Sequence, residues 1–488
     1  MNERRPLTVT EALLPLGALV GLLVAGAVTI GLTGELLVAV ILVAAATAGL
    51  TAARHGVTWA AIQHSTGEKI AAVLPALLIL LSIGMLIATW VLSGTIPWLV
   101  FWGVRLVRPE WLIVTAFLAT AVMSLCTGTS WGSAGTIGVA LMGMAVALDA
   151  PLGATAGAVV SGAYFGDKLS PLSDSTNICA IGADAPLYAH IRHMLHTAVP
   201  SFVLALVVYA LAARVTPLPG GGLPPTARVL LADLEAAFRL HWIVLLPPAV
   251  VIWSIMRKTP PALAITLSAL VAAGIGVLVQ GFAVQDAVTA AVAGFRVDMV
   301  SAEGADPGGW SPAFTTLVQR GGLYSMATTL IVVISAFLLA GAMDAAGALD
   351  LLIRRMLDAV RSVFGLIAAT IAAGATMIGL TSHGGVTALV IGGLFQQAYR
   401  ERDLDTVNLS RSLEDSVTLT EPLMPWTVSA VFMAATLGVP TTAYAPWAVF
   451  CYGGPFFSLL IAGTYRYSHY GIRAASRALQ QLPASASP

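Results

Sequence analysis

Apolar residues form long runs along this chain, and short polar stretches interrupt them. The runs fall near positions 11–32, 36–53, 70–92, 111–126, 136–148, 152–165, 197–213, 241–256, 261–280, 324–342, 363–380, 385–398, 426–437 and 443–463. A helix needs about 20 apolar residues to cross a hydrocarbon core of about 30 Å. The longer runs meet that length, and the shorter ones cluster around two polar patterns. The first pattern is Thr129-Ser130-Trp131-Gly132, followed by DKLSPLSDSTN from Asp167 to Asn177. The second is Thr381-Ser382-His383-Gly384, followed by NLSRSLEDSVT from Asn408 to Thr418. Irregular backbone at membrane depth survives only where protein buries it or where it lines a wet cavity. The segments 126–136 and 379–385, rich in Gly, Ser and Thr, therefore read as tips of re-entrant hairpins or as helix breaks. The segments 166–182 and 408–427 read as unwound stretches facing those tips.

The apolar stretch LLILLSIGMLIATWVLSGTIPWLV before the first pattern resembles TLIVVISAFLLAGAMDAAGALDLL before the second. Pairing Thr129 with Thr381 and Asp174 with Asp415 needs one gap, an insertion of about eleven residues in the first copy. A duplicated, discontinuous polar element in a membrane protein points to a transport site at the interface of two repeats. The expected fold is an all-α polytopic membrane protein, an inverted-repeat secondary transporter with re-entrant hairpins and discontinuous helices. The expected division is 1–69 N-terminal spans, 70–213 first repeat, 214–323 connecting helices and loops, 324–463 second, inverted repeat, and 464–488 C-terminal tail.

Composition agrees with lipid as the main solvent. Of 488 residues, 58% are hydrophobic and 10% charged, against roughly 25% charged in soluble domains. Mean hydropathy is +0.88. The 24 basic and 24 acidic residues are dispersed, so no nucleic-acid surface is expected. Cys126, Cys179 and Cys451 make neither a disulfide framework nor a metal spacing, and read as small apolar packers. The N-terminal run reads as a first spanning helix rather than a cleaved signal. Arg4, Arg5, Arg54 and Lys69 flank the first two runs on one side, which puts the N-terminus in the cytoplasm of a multi-pass cell-membrane protein. On that topology the stretches 214–226 and 300–323 fall outside, and the amphipathic segment 349–361 lies on the inner surface.

A carboxylate at the bilayer centre costs about 2.5–3.5 kcal/mol on insertion scales, so it needs a reason to be there. Asp174 and Asp415 are the leading candidates for a central Na+ site, with Asp167 and Glu414 as acidic neighbours that hold a cation or a proton. Oxygen ligands suit a hard alkali cation, and Thr129, Ser130, Ser173, Thr176, Asn177, Ser382, His383 and Ser416 supply polar groups beside them. Glu421 reads either as a further proton carrier or as a pore-lining or cytoplasmic charge. His190, His193 and His196 read as a polar helix start, with a pH sensor or metal site as the alternative. The short Gly128-Thr129-Ser130-Trp131 pattern matches the loose motif of intramembrane serine proteases, with His383 as the imagined base. That reading ignores the carboxylates and the repeat, so no enzyme is expected. Neither a phosphate-binding loop nor a cofactor motif is present.

The stretches TGTSWGSAGTIGVALMG, SGAYFGDKLSPLSDSTN, HIRHMLHT, RGGLYSM and NLSRSLEDSVTLTEPLMPW resemble the NhaC family of sodium/proton antiporters, in the same order, from about residue 70 to 460. The resemblance implies ion-coupled exchange, with Na+ and H+ as the transported ions. The family also holds malate/lactate-type exchangers, which leaves small organic anions as the alternative cargo, with Arg411 as a binding group. His383-Gly384-Gly385 and Thr427 depart from the family pattern where a ligand would be read. The oligomeric state stays open, with a homodimer as the candidate assembly.

Overall fold

The structure is a computed structural model that describes residues 7–31, 33–215, 223–300 and 309–475. Arg4 and Arg5, most of the stretch 214–226, much of the loop 300–323 and the end of the tail lie outside the described residues. Nine helices among the described residues are long and apolar enough to cross a membrane, or up to 11 if two bent pairs each count as one span. The chain is therefore a multi-pass membrane protein. The backbone satisfies itself within helices, as lipid requires.

The first part of the chain gives α1 (Val9–Thr29), α2 (Gly34–Arg54), α3 (Trp59–Leu92) and α4 (Thr95–Leu106). Thr8, Thr33 and Thr58 cap the first three, each accepting a backbone N–H that the helix start leaves free. Next come α5 (Leu112–Thr127), α6 (Ser130–Ala147), α7 (Leu152–Leu169), α8 (Asp174–Gly182) and α9 (Leu187–Val215). After a set of connecting helices follow α10 (Ala327–Ala345), α11 (Ala348–Asp358), α12 (Val363–Thr381), α13 (Gly384–Arg400), α14 (Thr406–Leu413), α15 (Val428–Leu437) and α16 (Val449–Thr464). The helix α11 is amphipathic as expected, with Leu349, Leu352 and Ile353 buried and Arg354 and Arg355 exposed.

The duplication is visible in the backbone itself. Between α5 and α6 the chain turns at Gly128 (φ 69°, ψ 28°) and Thr129 (φ −147°, ψ 123°). Between α12 and α13 it turns at Ser382 (φ 58°, ψ 7°) and His383 (φ −142°, ψ 125°). Each pair is 254 positions apart. At the same spacing the hydroxyl of Ser133 donates to Thr129 O (2.8 Å) and that of Thr387 to His383 O (2.9 Å). Left-handed Asp149 and Asp403 mark equivalent corners, both at φ 52°. Ser173 and Thr427 cap α8 and α15, and left-handed Asp184 and Gly438 follow those two helices.

The repeat therefore runs without the expected insertion, and its register differs from the expected one. Asp174 is equivalent to Val428, and Asp415 to Ser161. The matching stretches are DKLSPLSDS (167–175) and EPLMPWTVS (421–429), which makes Asp167 and Glu421 the equivalent carboxylates. Clusters of polar residues suggested the other pairing, but in one repeat they decorate a helix where the other repeat is apolar.

Arg400 Nη2 donates to Asp184 Oδ2 (3.1 Å) and Thr406 Oγ1 to Asp184 O (3.1 Å). The corner at Asp403 thus stands at the far end of the broken span α7–α8, whereas the equivalent corner at Asp149 stands at its beginning. Equivalent corners thus stand at opposite ends of α7–α8, the arrangement that inverted repeats produce.

The unwound stretches are shorter than expected. α7 stays helical to Leu169 and only 170–173 is open before α8. In the second repeat α14 continues through a π-turn, Glu414–Thr418, and the helix opens only around 421–427.

Candidate ion-binding site

Helix α7 lies so close to α5 that a side chain at Gly162 or Gly166 would strike α5 backbone. This contact carries the last turn of α7 into the interior, where Asp167 and Lys168 are buried. Ser130, the first residue of α6, donates its hydroxyl to Asp167 Oδ2 (2.8 Å). Ser173 also stands beside the Asp167 carboxylate. Thr176 Oγ1 donates to Asp167 O and Lys168 O (3.2 and 3.1 Å), tying α8 across the break. The Asn177 amide donates to Ser173 O (2.7 Å) and Pro171 O (3.1 Å), which satisfies the opened backbone.

The second repeat contributes Glu414, Asp415 and Glu421, all buried. Ser175 Oγ donates to Glu414 Oε1 (3.2 Å) and contacts Ser173 Oγ (3.0 Å). A string of oxygens thus runs from Ser130 through Asp167, Ser173 and Ser175 to Glu414, whose Oε2 is buried without a hydrogen-bond partner. Asp415 turns the other way. Its Oδ1 accepts from Lys168 Nζ and from Thr197 Oγ1 (3.1 Å), while Arg411 Nε stands 3.9 Å from Oδ2. Arg411 also meets His193 Nε2 (3.2 Å) and donates to Gly471 O. Glu421 faces the first turn of α13, where the Gly384 N–H meets its carboxylate, and α15, where Ser429 does.

Asp174 does not join this network. It is exposed on the first turn of α8, where a carboxylate needs no buried partner. The structure does not bring Asp174 and Asp415 together: one is exposed and the other is engaged by Lys168. Thr129 caps α6 through its contact with the Gly132 N–H (3.2 Å). Ser416 donates to Ser412 O (2.6 Å) and fills the space over Gly374. Ser382 Oγ and His383 Nδ1 are buried at the second tip without hydrogen-bond partners, and the Ser130 hydroxyl is held by Asp167 rather than by His383. His190 and His193 stand in the first turns of α9, and both are buried.

The sequence patterns do not single out Lys168 or Thr197, and they present Arg411 only as an anion-binding group. The signal for Lys168 was present: it is a lone lysine inside an apolar region, beside Asp167. The signal for Glu421 was the shared spacing of Asp/Glu, Leu, Pro and Ser/Thr in the two copies.

The geometry defines a membrane transporter with buried ionisable groups at the meeting point of inverted repeats. A profile of the Na+/H+ antiporter family matches residues 162–464. The chain is 41% identical to an uncharacterized Na+/H+ antiporter of Haemophilus influenzae, over 94% of this chain and 96% of that protein. It is 34% identical to the Na+/H+ antiporter NhaC of Alkalihalophilus pseudofirmus (83% and 85%) and 30% identical to the malate-2H+/Na+-lactate antiporter of Bacillus subtilis (92% of each). The chain belongs to the Na+/H+ antiporter family.

Proposed function

We propose that this protein is a secondary active antiporter that exchanges Na+ or Li+ for H+ across the cell membrane by alternating access. The observation that carries this reading is the charge inventory of the interior. Among the described residues four carboxylates are buried, Asp167, Glu414, Asp415 and Glu421, against two lysine or arginine side chains, Lys168 and Arg411. Uncompensated charge out of water is costly, so it neutralises or finds a partner. Two carboxylates are left over, and protons or alkali cations can neutralise them in turn. Residues 70–213 and 324–463 are then the two transport repeats, and the N-terminus faces the cytoplasm.

The test is flux in proteoliposomes loaded with a pH dye. An outward Na+ or Li+ gradient is expected to move protons inward, and K+ to do so poorly. One observation favours the organic-anion alternative as second reading: Arg411 has Nε and Nη2 buried without hydrogen-bond partners, which suits a carboxylate ligand. Malate or lactate uptake without any alkali-driven proton movement would establish that reading instead.

A further inference from the structure

The equivalent carboxylates Asp167 and Glu421 face different chemistry. Both sit against the N-terminus of a hairpin helix, α6 and α13, where free N–H groups and the helix dipole favour negative charge. Asp167 meets the hydroxyls of Ser130 and Ser173 and the Ser130 N–H. Glu421 meets the N–H groups of Gly384 and Ser429 and the Ser429 hydroxyl. That hydroxyl also accepts from the Trp131 indole (3.3 Å).

A hydroxyl can turn its lone pairs to a cation, whereas a backbone N–H only donates. Alkali cations need oxygen ligands. Around Asp167 the oxygens continue through Ser173 and Ser175 to the unpartnered Oε2 of Glu414. Around Glu421 the donors are mostly N–H, and the first turn of α13 closes over the carboxylate. Even a Cβ at Gly384 would lie 2.7 Å from Glu421 Oε2.

We infer that the duplicated site has divided its labour: the alkali cation is held at Asp167 with Ser130, Ser173, Ser175 and Glu414, and Glu421 carries the proton. The inference rests on the Na+/H+ reading above. In the cycle, the Glu421 carboxylic acid releases its proton to water on one side, and the carboxylate takes up a proton on the other. Na+ moves the opposite way. The charged or titratable groups facing Glu421 are Asp167 and Tyr164 on α7. Glu414 and Asp415 precede it on its own element, and His383 adjoins Gly384 on α13.

Two fluxes in proteoliposomes separate the roles: Na+-driven proton movement, and exchange of radiolabelled Na+ for Na+, which needs no proton. Glu421→Gln is expected to lose the first and keep the second. Asp167→Asn is expected to lose both. Thermal unfolding in detergent gives an independent readout, since added Na+ should still stabilise Glu421→Gln but not Asp167→Asn. Glu421→Asp, which keeps a titratable group, should recover proton movement and guards against a folding defect. Loss of Na+/Na+ exchange and Na+ stabilisation in Glu421→Gln, with Asp167→Asn keeping them, would overturn the assignment, as would intact proton movement in Glu421→Gln. If wild type shows neither flux, the underlying Na+/H+ reading has failed instead.

Discussion

Lys168 is fully buried, and its ion-pair partner there is Asp415. Breaking a buried ion pair by removing one partner leaves an uncompensated charge and costs about 3–5 kcal/mol, while replacing both partners is often neutral. Lys168→Met is therefore expected to lower the thermal unfolding temperature sharply. Lys168→Met with Asp415→Asn should regain most of it. A double-variant protein as unstable as the single one would mean that the pair does not act as a unit. Little of this was legible in the sequence. Ser130, Asp167 and Glu414 were recognisable because polar residues in an apolar setting need partners. Asp174 ranked ahead of Asp167 and Glu414, yet it stands on an exposed helix turn. Which carboxylate becomes buried depends on how closely α7 approaches α5 at Gly162 and Gly166, and that distance is a property of the packed pair rather than of the carboxylate's neighbours.

At the scale of elements, the two breaks share one backbone path but not one residue type. The first uses Gly128 in the left-handed region and the second uses Ser382 there. A left-handed conformation costs an L-residue roughly 1–2 kcal/mol, and glycine avoids it. Gly128→Ala is expected to destabilise the protein by at least that amount, because its Cβ would also lie 2.6 Å from Leu172 Cβ. Ser382→Gly should leave stability unchanged or raise it by about 1 kcal/mol. Unfolding midpoints of both variants check the pair, and equal losses would show that the tip depends on the Ser382 side chain. Both breaks could be read from Gly, Ser and Thr inside apolar runs. Their extent could not, because polarity does not imply unwinding. The hydroxyls of Ser412, Ser416 and Thr420 donate to the carbonyls four residues earlier (2.9, 2.6 and 2.5 Å), so this polar stretch stays helical.

Across the whole molecule the two breaks differ in exposure. Leu172, in the first break, is 55% exposed, while its equivalent Trp426 in the second break is 9% exposed. Inverted repeats reach the opposite-facing state by exchanging their conformations. Cysteines placed at 172 and 426, in a background without Cys126, Cys179 and Cys451, should therefore change reactivity towards a thiol reagent in opposite directions when Na+ is added. Parallel changes would rule out an exchange of that kind. The inverted architecture itself was legible from the doubled polar pattern, but its register was not, since sequence similarity concentrates in the nine residues from Asp167 and from Glu421. One asymmetry bears on energetics rather than shape. The Lys168–Asp415 pair has no mirror image, because Pro422 and Ser161 stand at the equivalent positions. A perfectly symmetric pair of repeats would give inward- and outward-facing states of equal free energy, and a single unmirrored ion pair removes that degeneracy. The exchanger then rests preferentially with one side open, like a rectifier at rest. Half-saturating Na+ should differ between the two membrane faces, and Lys168→Met with Asp415→Asn should draw the two values together.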